Sequence, residues 1–316
     1  MSFSMEVKEE LFGVNVQARH CRIAELSALI TECGKIDVDK SGHLHIKLQT
    51  ESGYVAGKCN TLLKKLCEIP FEVTVRTGKG RQSVALYSID IPGDTNVRKV
   101  MELLKIKVSG KEGILKADGM VHLHTCCKRA FLRGSFLASG SISNPNKSYH
   151  FEISEPEQGR ADSLAELIRF FDVDAKTILR KHYHVVYVKE GAQVAELLNI
   201  MEAHVALMNF ENVRIVKDVR NSVNRQVNCE TANLSKTVNA ARKQYEDIVL
   251  IRDRVGLQSL SEQLESVAQL RLEYPEASLI ELGEMLSPKL GKSGVNHRLK
   301  KISEYADSLR DNQKED

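Results

Sequence analysis

Between Ser287 and Ser303 the chain carries five basic residues, Lys289, Lys292, Arg298, Lys300 and Lys301, and no acidic one. Cations at this density suit phosphate, while the amide of Asn296, the hydroxyl of Ser293 and the ring of His297 can hydrogen-bond base edges. A helix turns about 100° per residue. That rotation gathers Val295, Leu299 and Ile302 on one stripe of a helix spanning 293–305, and turns Ser293, Asn296, His297, Lys300 and Lys301 outward. Lys289, Lys292 and Arg298 fall at the edges. In a major groove, Asn296 would pair with adenine, Lys300 with guanine, and the edge cations with the backbone. A solvated basic face is the bland alternative; Glu276, Glu281 and Glu284 lie just upstream of the run.

Other residues with chemical potential carry weaker patterns. Three His-x-His pairs occur: His43 with His45, His122 with His124, and His182 with His184. Each could offer two imidazoles from one strand face, yet spacing fixes no third ligand, so no metal site is assigned. Only His122, His124, Cys126 and Cys127 combine types suited to a soft metal or to an oxidation sensor. The seven cysteines are odd in number and contain no Cys-x-x-Cys, which excludes a zinc ribbon and speaks against a disulfide framework. Gly291-Lys292-Ser293 mimics the end of a phosphate-binding loop, but Leu286 stands where that motif requires glycine. No cofactor is expected.

The basic helix needs a small scaffold, and the sequence supplies one. Ser259 with Glu262 and Ser278 with Glu281 have capping-box spacing, the first opening a helix that Pro275 ends, the second a short helix over Leu279–Leu286. With the turn at Gly291, the order helix, turn, helix emerges. Upstream, Leu234, Val238, Ala241, Tyr245 and Ile248 mark a connector helix ending at Gly256.

Preceding this, one order of elements occurs twice. Helix 18–33, strands 35–38 and 44–48, helix 54–67, strands 71–76 and 83–89 and helix 96–104 form the first unit. Helix 126–138, strands 140–143 and 149–153, helix 161–171, strands 175–179 and 183–188 and helix 193–201 form the second. A duplicated αββαββα domain, its halves paired about a pseudo-twofold axis, is the expected architecture, with small residues Gly134, Ala138 and Gly140 at the joint. The fold class is α+β followed by an all-α domain. The expected boundaries are 1–110 and 111–219 for the repeats, 220–256 for the connector and 257–316 for the helix-turn-helix. The basic stretch Lys58–Arg81 leaves two readings open, contact of the repeat domain with nucleic acid or plain solvated surface.

LRGSFLASG, Leu132–Gly140, resembles the LAGLIDADG nonapeptide of homing endonucleases, and LSALITECG, Leu26–Gly34, resembles a second copy. In those nucleases an acid just before the final glycine of each copy holds the metal. Here Cys33 and Ser139 stand at that position, and Glu32, one residue earlier, is expected to point about 100° away around its helix. Cleavage is therefore not expected, and catalytic residues are not assigned. The rival reading, a metal-dependent endonuclease, is distinguished by nicking of supercoiled plasmid with magnesium or manganese. A second rival is a protein-interaction module that binds no DNA.

The complete order resembles the WhiA family of bacterial regulators, through FLRGSFLASGSI (131–142), RNSVNRQVNCETANLSKTVNAA (220–241), LRLEYPEASLIELGEML (270–286) and GKSGVNHRLKKI (291–302). The resemblance implies a non-enzymatic, DNA-binding factor in cell division and chromosome segregation, controlling sporulation genes in spore-forming relatives. Double-stranded DNA is the implied partner, with a transcription-machinery or regulator protein as a second. No run of about eighteen apolar residues is present, and Glu6, Glu9 and Glu10 occupy the place of a secretory signal's basic region. A cytoplasmic, nucleoid-associated protein is expected.

Overall fold

The computed structural model describes residues 2–77, 85–109 and 113–311. It divides into two compact units, Met1–Lys217 and Asp218–Asp316.

The first unit is built on two helices of fifteen residues, α2 (Arg19–Cys33) and α5 (Thr125–Ser139), after α1 (Phe3–Gly13). Each of the pair opens one copy of the same order. β1 (Gly34–Val38), β2 (Leu44–Thr50), α3 (Gly53–Leu66), β3 (Glu72–Thr77), β4 (Ala85–Pro92) and α4 (Asp94–Leu104) follow α2. After α4 come β5 (Ile106–Ser109) and β6 (Ile114–Ala117). β7 (Gly140–Ile142), β8 (Phe151–Glu155), α6 (Gln158–Arg169), β9 (Lys176–Arg180), β10 (Tyr183–Val188) and α7 (Gly191–Ile200) follow α5. The sheets run β3-β4-β2-β1-β6-β5 and β7-β8-β10-β9, antiparallel throughout, so the second repeats the first four strands of the first. The expected duplication is therefore present, and the β5–β6 hairpin is an addition to the first copy. Ser83 and Val84, expected to begin the strand before α4, lie outside the described residues.

The joint of the halves is set by side-chain size. A Cβ on Gly134 would lie 2.6 Å from the Glu25 carbonyl oxygen and 2.8 Å from Ala28 Cβ, so α2 and α5 touch where only glycine fits. Shifting the first copy by 106 residues, the separation of Gly34 and Gly140, superposes Ala28 on Gly134. The closest approach thus sits on the pseudo-twofold axis. Leu26, Leu29 and Ile30 of α2 and Leu132, Phe136 and Leu137 of α5 are buried in one core with the inner strand faces. α1 adds Phe3, Val7 and Leu11, spaced four apart on one helix face.

α8 runs unbroken from His204 to Arg254 and passes through the boundary between the units. No glycine or proline occurs in it, which explains its length. Two carboxylate oxygens of Glu10 accept the Val205 and Ala206 N–H groups at 2.8 and 2.9 Å, capping its start. The expected connector beginning near residue 220 is part of this one helix. Its expected apolar face is not a buried face at Leu234 and Val238, which are 65% and 56% exposed; burial resumes at Ile248 and Ile251.

The second unit packs the end of α8 against α9 (Glu262–Glu273), α10 (Leu279–Met285) and α11 (Lys292–Asp311). The Ser278–Glu281 capping box is formed. The Ser259–Glu262 box is not: Ser259 belongs to a 3-10 turn, Leu257–Ser259, and its hydroxyl donates to the Gly256 carbonyl at 2.7 Å. Ser261 is the N-cap of α9 instead, without a side-chain bond.

Candidate nucleic-acid interface

The surface of α11 follows from how α10 and the turn hold it. The Leu290 N–H donates to the Gly283 carbonyl at 2.9 Å, and a Cβ on Gly283 would come within 2.0 Å of the Leu290 carbonyl oxygen. This glycine lets the turn fold back tightly onto α10. Glu281 anchors the start of α10 by accepting from the Ser278 N–H at 2.7 Å, which holds its carboxyl below the usual range. Arg271, 2% exposed, donates to the carbonyls of Pro275 and Ala277 at 3.2 and 2.6 Å and fixes the loop before α10.

With α11 so held, Val295, Leu299, Ile302 and Ala306 are buried. Lys289, Lys292, Ser293, Asn296, His297, Lys300 and Lys301 are exposed. Lys292 and Ser293 stand in the first turn, where free backbone N–H groups and the helix dipole favour a phosphate. Two residues are partly engaged. Arg298 is half-buried and donates to the Gln263 carbonyl at 3.3 Å, tying α11 to α9, and Lys300 lies 3.7 Å from Glu304. An exposed pair one helical turn apart holds little energy, so Glu304 does not fix the Lys300 ammonium.

A second polar group lies in the first unit, where α2 and α5 end and the strands begin. Arg160, in the first turns of α6, places Nη2 at 3.0 Å from Glu32 and 2.8 Å from Glu155, ion pairs off the angle of a hydrogen bond. Its Nη1 donates to the carbonyls of Thr31 and Leu115 at 2.7 and 3.3 Å. Burial, reinforced by the neighbouring Glu32, pushes the Glu155 carboxyl well above its usual range. Glu32 does not point away as expected, since it accepts from the Ser139 hydroxyl at 3.2 Å and so reaches the end of α5. The rotation from Cys33 is correct, but a long carboxylate side chain crosses the gap between close helices.

The nuclease resemblance implies a divalent metal at this end, and the residues do not fit it. Burial pushes the Cys33 thiol up to about 12, Ser139 offers a neutral hydroxyl, and Arg160 already pairs with both acids. A hard cation needs anionic oxygens that are free.

A third group ties the helix pair together. Glu25, fully buried, lies 3.2 Å from Arg133 Nε and 3.4 Å from Lys58 Nζ, and Arg133 Nη1 donates to Glu202 and to the Met201 carbonyl. Lys58, the first residue of the basic stretch, fits neither of its two readings: it is buried and also donates to the Val14 carbonyl at 2.6 Å. The His-x-His pairs do not gather. His45 bonds Asp90 at 3.0 Å, and His122 packs on Phe131, its pKa lowered by burial. Cys126 and Cys127 meet His20 and Cys21 of α2 rather than His122. Sequence spacing missed this meeting because it links helices 106 residues apart, although aligning the two copies at Gly34 and Gly140 superposes His20-Cys21 on Cys126-Cys127.

Fold and surface together define a duplicated LAGLIDADG-like scaffold followed by a helix-turn-helix domain. Three family models match, described as the WhiA N-terminal LAGLIDADG-like domain over 19–107, the WhiA LAGLIDADG-like domain over 128–220 and the WhiA C-terminal HTH domain over 223–306. The chain belongs to the WhiA family. It is 52% identical over 313 residues to the probable cell division protein WhiA of Lachnoclostridium phytofermentans, covering 98% of this chain and 100% of the relative. The corresponding protein of Desulforamulus reducens is 44% identical, over 98% and 97% of the two chains. The crystal structure of full-length WhiA from T. maritima is similar at 28% identity and a TM-score of 0.59, over 98% of this chain and 99% of that one. No helix among the described residues is long and apolar enough to cross a membrane.

Proposed function

We propose that this chain is a sequence-preferring regulator that binds double-stranded DNA through α11 and acts in cell division and chromosome segregation, without nuclease activity. The observation that carries this reading is the outward face of α11, where Ser293, Asn296, His297, Lys300 and Lys301 are exposed opposite a buried apolar stripe. Lys289 and Lys292 set the register on phosphates, Asn296 and Lys300 read bases, and Arg298 does double duty by bracing α11 on α9. The Arg160 guanidinium between Glu32 and Glu155 supports a scaffold that no longer cuts. Its remaining role is to position the reader or recruit a regulator or the transcription machinery, in a cytoplasmic, nucleoid-associated protein.

Titration of the full chain with duplex selected from a random pool tests the reading. Changing Lys289 and Lys292 together to glutamine removes two phosphate contacts. The salt slope should fall by about two and affinity at roughly 0.15 M salt by about 30-fold, equally for selected and random duplex. Asn296→Ala should leave the slope alone and cost about 1–3 kcal/mol on selected duplex only. An unchanged slope in the double variant would remove α11 from the backbone.

A further inference from the structure

At the N-terminal ends of α2 and α5, opposite the strands, four ligand atoms of two types converge. The Sγ atoms of Cys21, Cys126 and Cys127 and the ring nitrogen of His20 all lie within 4.8 Å of one another. His20 Nδ1 stands 3.1 Å from Cys127, 3.2 Å from Cys21 and 4.0 Å from Cys126. Ligands about 2.0–2.3 Å from a tetrahedral zinc ion stand about 3.5–3.8 Å apart, so the group needs only side-chain adjustments to close. Three sulfurs and one imidazole form a donor set that suits zinc and is foreign to magnesium or calcium.

We propose that His20, Cys21, Cys126 and Cys127 bind one zinc ion that staples the starts of the two central helices. Repetition supports this independently of distance. The shift of 106 residues that relates the copies carries His20 onto Cys126 and Cys21 onto Cys127, so the four ligands straddle the pseudo-twofold axis as two equivalent pairs. Each pair lies in the first turn of its helix, at the positive end of the helix dipole, which favours an anionic ligand against the burial that raises the Cys21 and Cys127 thiols. Cys21 and Cys127 are buried beside Ala24, Val121 and Ala130, while His20 and Cys126 are exposed, giving the site a dry wall and an entry side. On binding, three Sγ–H groups release their protons to solvent as three Zn–S bonds form. His20 donates its neutral Nδ1 lone pair, and no electron is transferred. This assignment departs from the expectation of no metal and does not depend on DNA binding.

The test uses the full chain, expressed with zinc and purified under reducing conditions without chelator. Elemental analysis should find one zinc per chain. Replacement by cobalt should give tetrahedral visible bands and a thiolate-to-cobalt charge-transfer band. Cys126→Ser with Cys127→Ser should abolish both signals and weaken zinc affinity beyond the roughly 100-fold lost when a ligand's own hydrogen-bond partner is removed. Cys229→Ser, at an exposed cysteine outside the group, should keep them. Should the double variant fail to fold, the wild-type cobalt spectrum still decides. A folded wild-type chain with no zinc and no charge-transfer band overturns the proposal, as does zinc retained by the folded double variant or a disulfide among these cysteines under reducing conditions.

Discussion

Changing Arg160 to methionine should lower the stability of the first unit by about 3–5 kcal/mol near neutral pH, and by clearly less near pH 5. The change leaves Glu32 and Glu155 buried without a cation and strips the Thr31 and Leu115 carbonyls of their donor. The pH dependence follows from Glu155, whose carboxyl already sits well above its usual range through burial. A carboxyl raised in the folded chain holds its proton there after the unfolded chain has lost it. The contribution of Glu155 to stability is therefore highest below the unfolded value of about 4.3 and declines as pH rises toward the folded one. Removing Arg160 raises the folded value further and steepens the decline. Hydrogen exchange of α2 and α5 amides, read by mass spectrometry at both pH values, reports the difference. Adding Glu155→Gln should return part of the loss and flatten the profile. A loss independent of pH would show that Glu155 is not the titrating group.

Arg133→Met should cost the first unit a comparable 3–5 kcal/mol, by about the same mechanism at the other buried charge. Glu25 is fully buried, and after the change only Lys58, 3.4 Å away, would balance it. Burial already lowers the Lys58 pKa against the pull of Glu25, so that lysine is a costly sole partner. The Met201 carbonyl also loses its donor. For a unit of this size the melting temperature should drop by about 6–20 °C. Pairing the change with Glu25→Gln should recover a substantial part. Full additivity of the two single changes would mean that the charges do not interact.

The helices and strands of the repeat were legible because each buries one face, so their apolar residues recur at the period of the element. The same logic explains the omissions. β5 and β6 have four residues each, too few for alternation to stand out. Residues 218–240 of α8 are exposed throughout, so the helical spacing of Leu234 and Val238 marked the helix but not a buried face, and the absence of glycine and proline was the signal of its full length. α1 carried a readable one in Phe3, Val7 and Leu11. On α11 the outward residues were legible because Val295, Leu299 and Ile302 fix the rotation of the helix. Arg298 differed because its length lets it fold back on Gln263. Arg160, Glu155 and Arg133 were not legible at all, since their meaning lies in partners brought together by the pairing of the halves.

The guanidinium between Glu32 and Glu155 supplies positive charge at this end of the helix pair as part of the chain itself. Every copy leaves the ribosome with its counter-charge already attached, so no chelator or dialysis step can strip it and no competing ion can replace it.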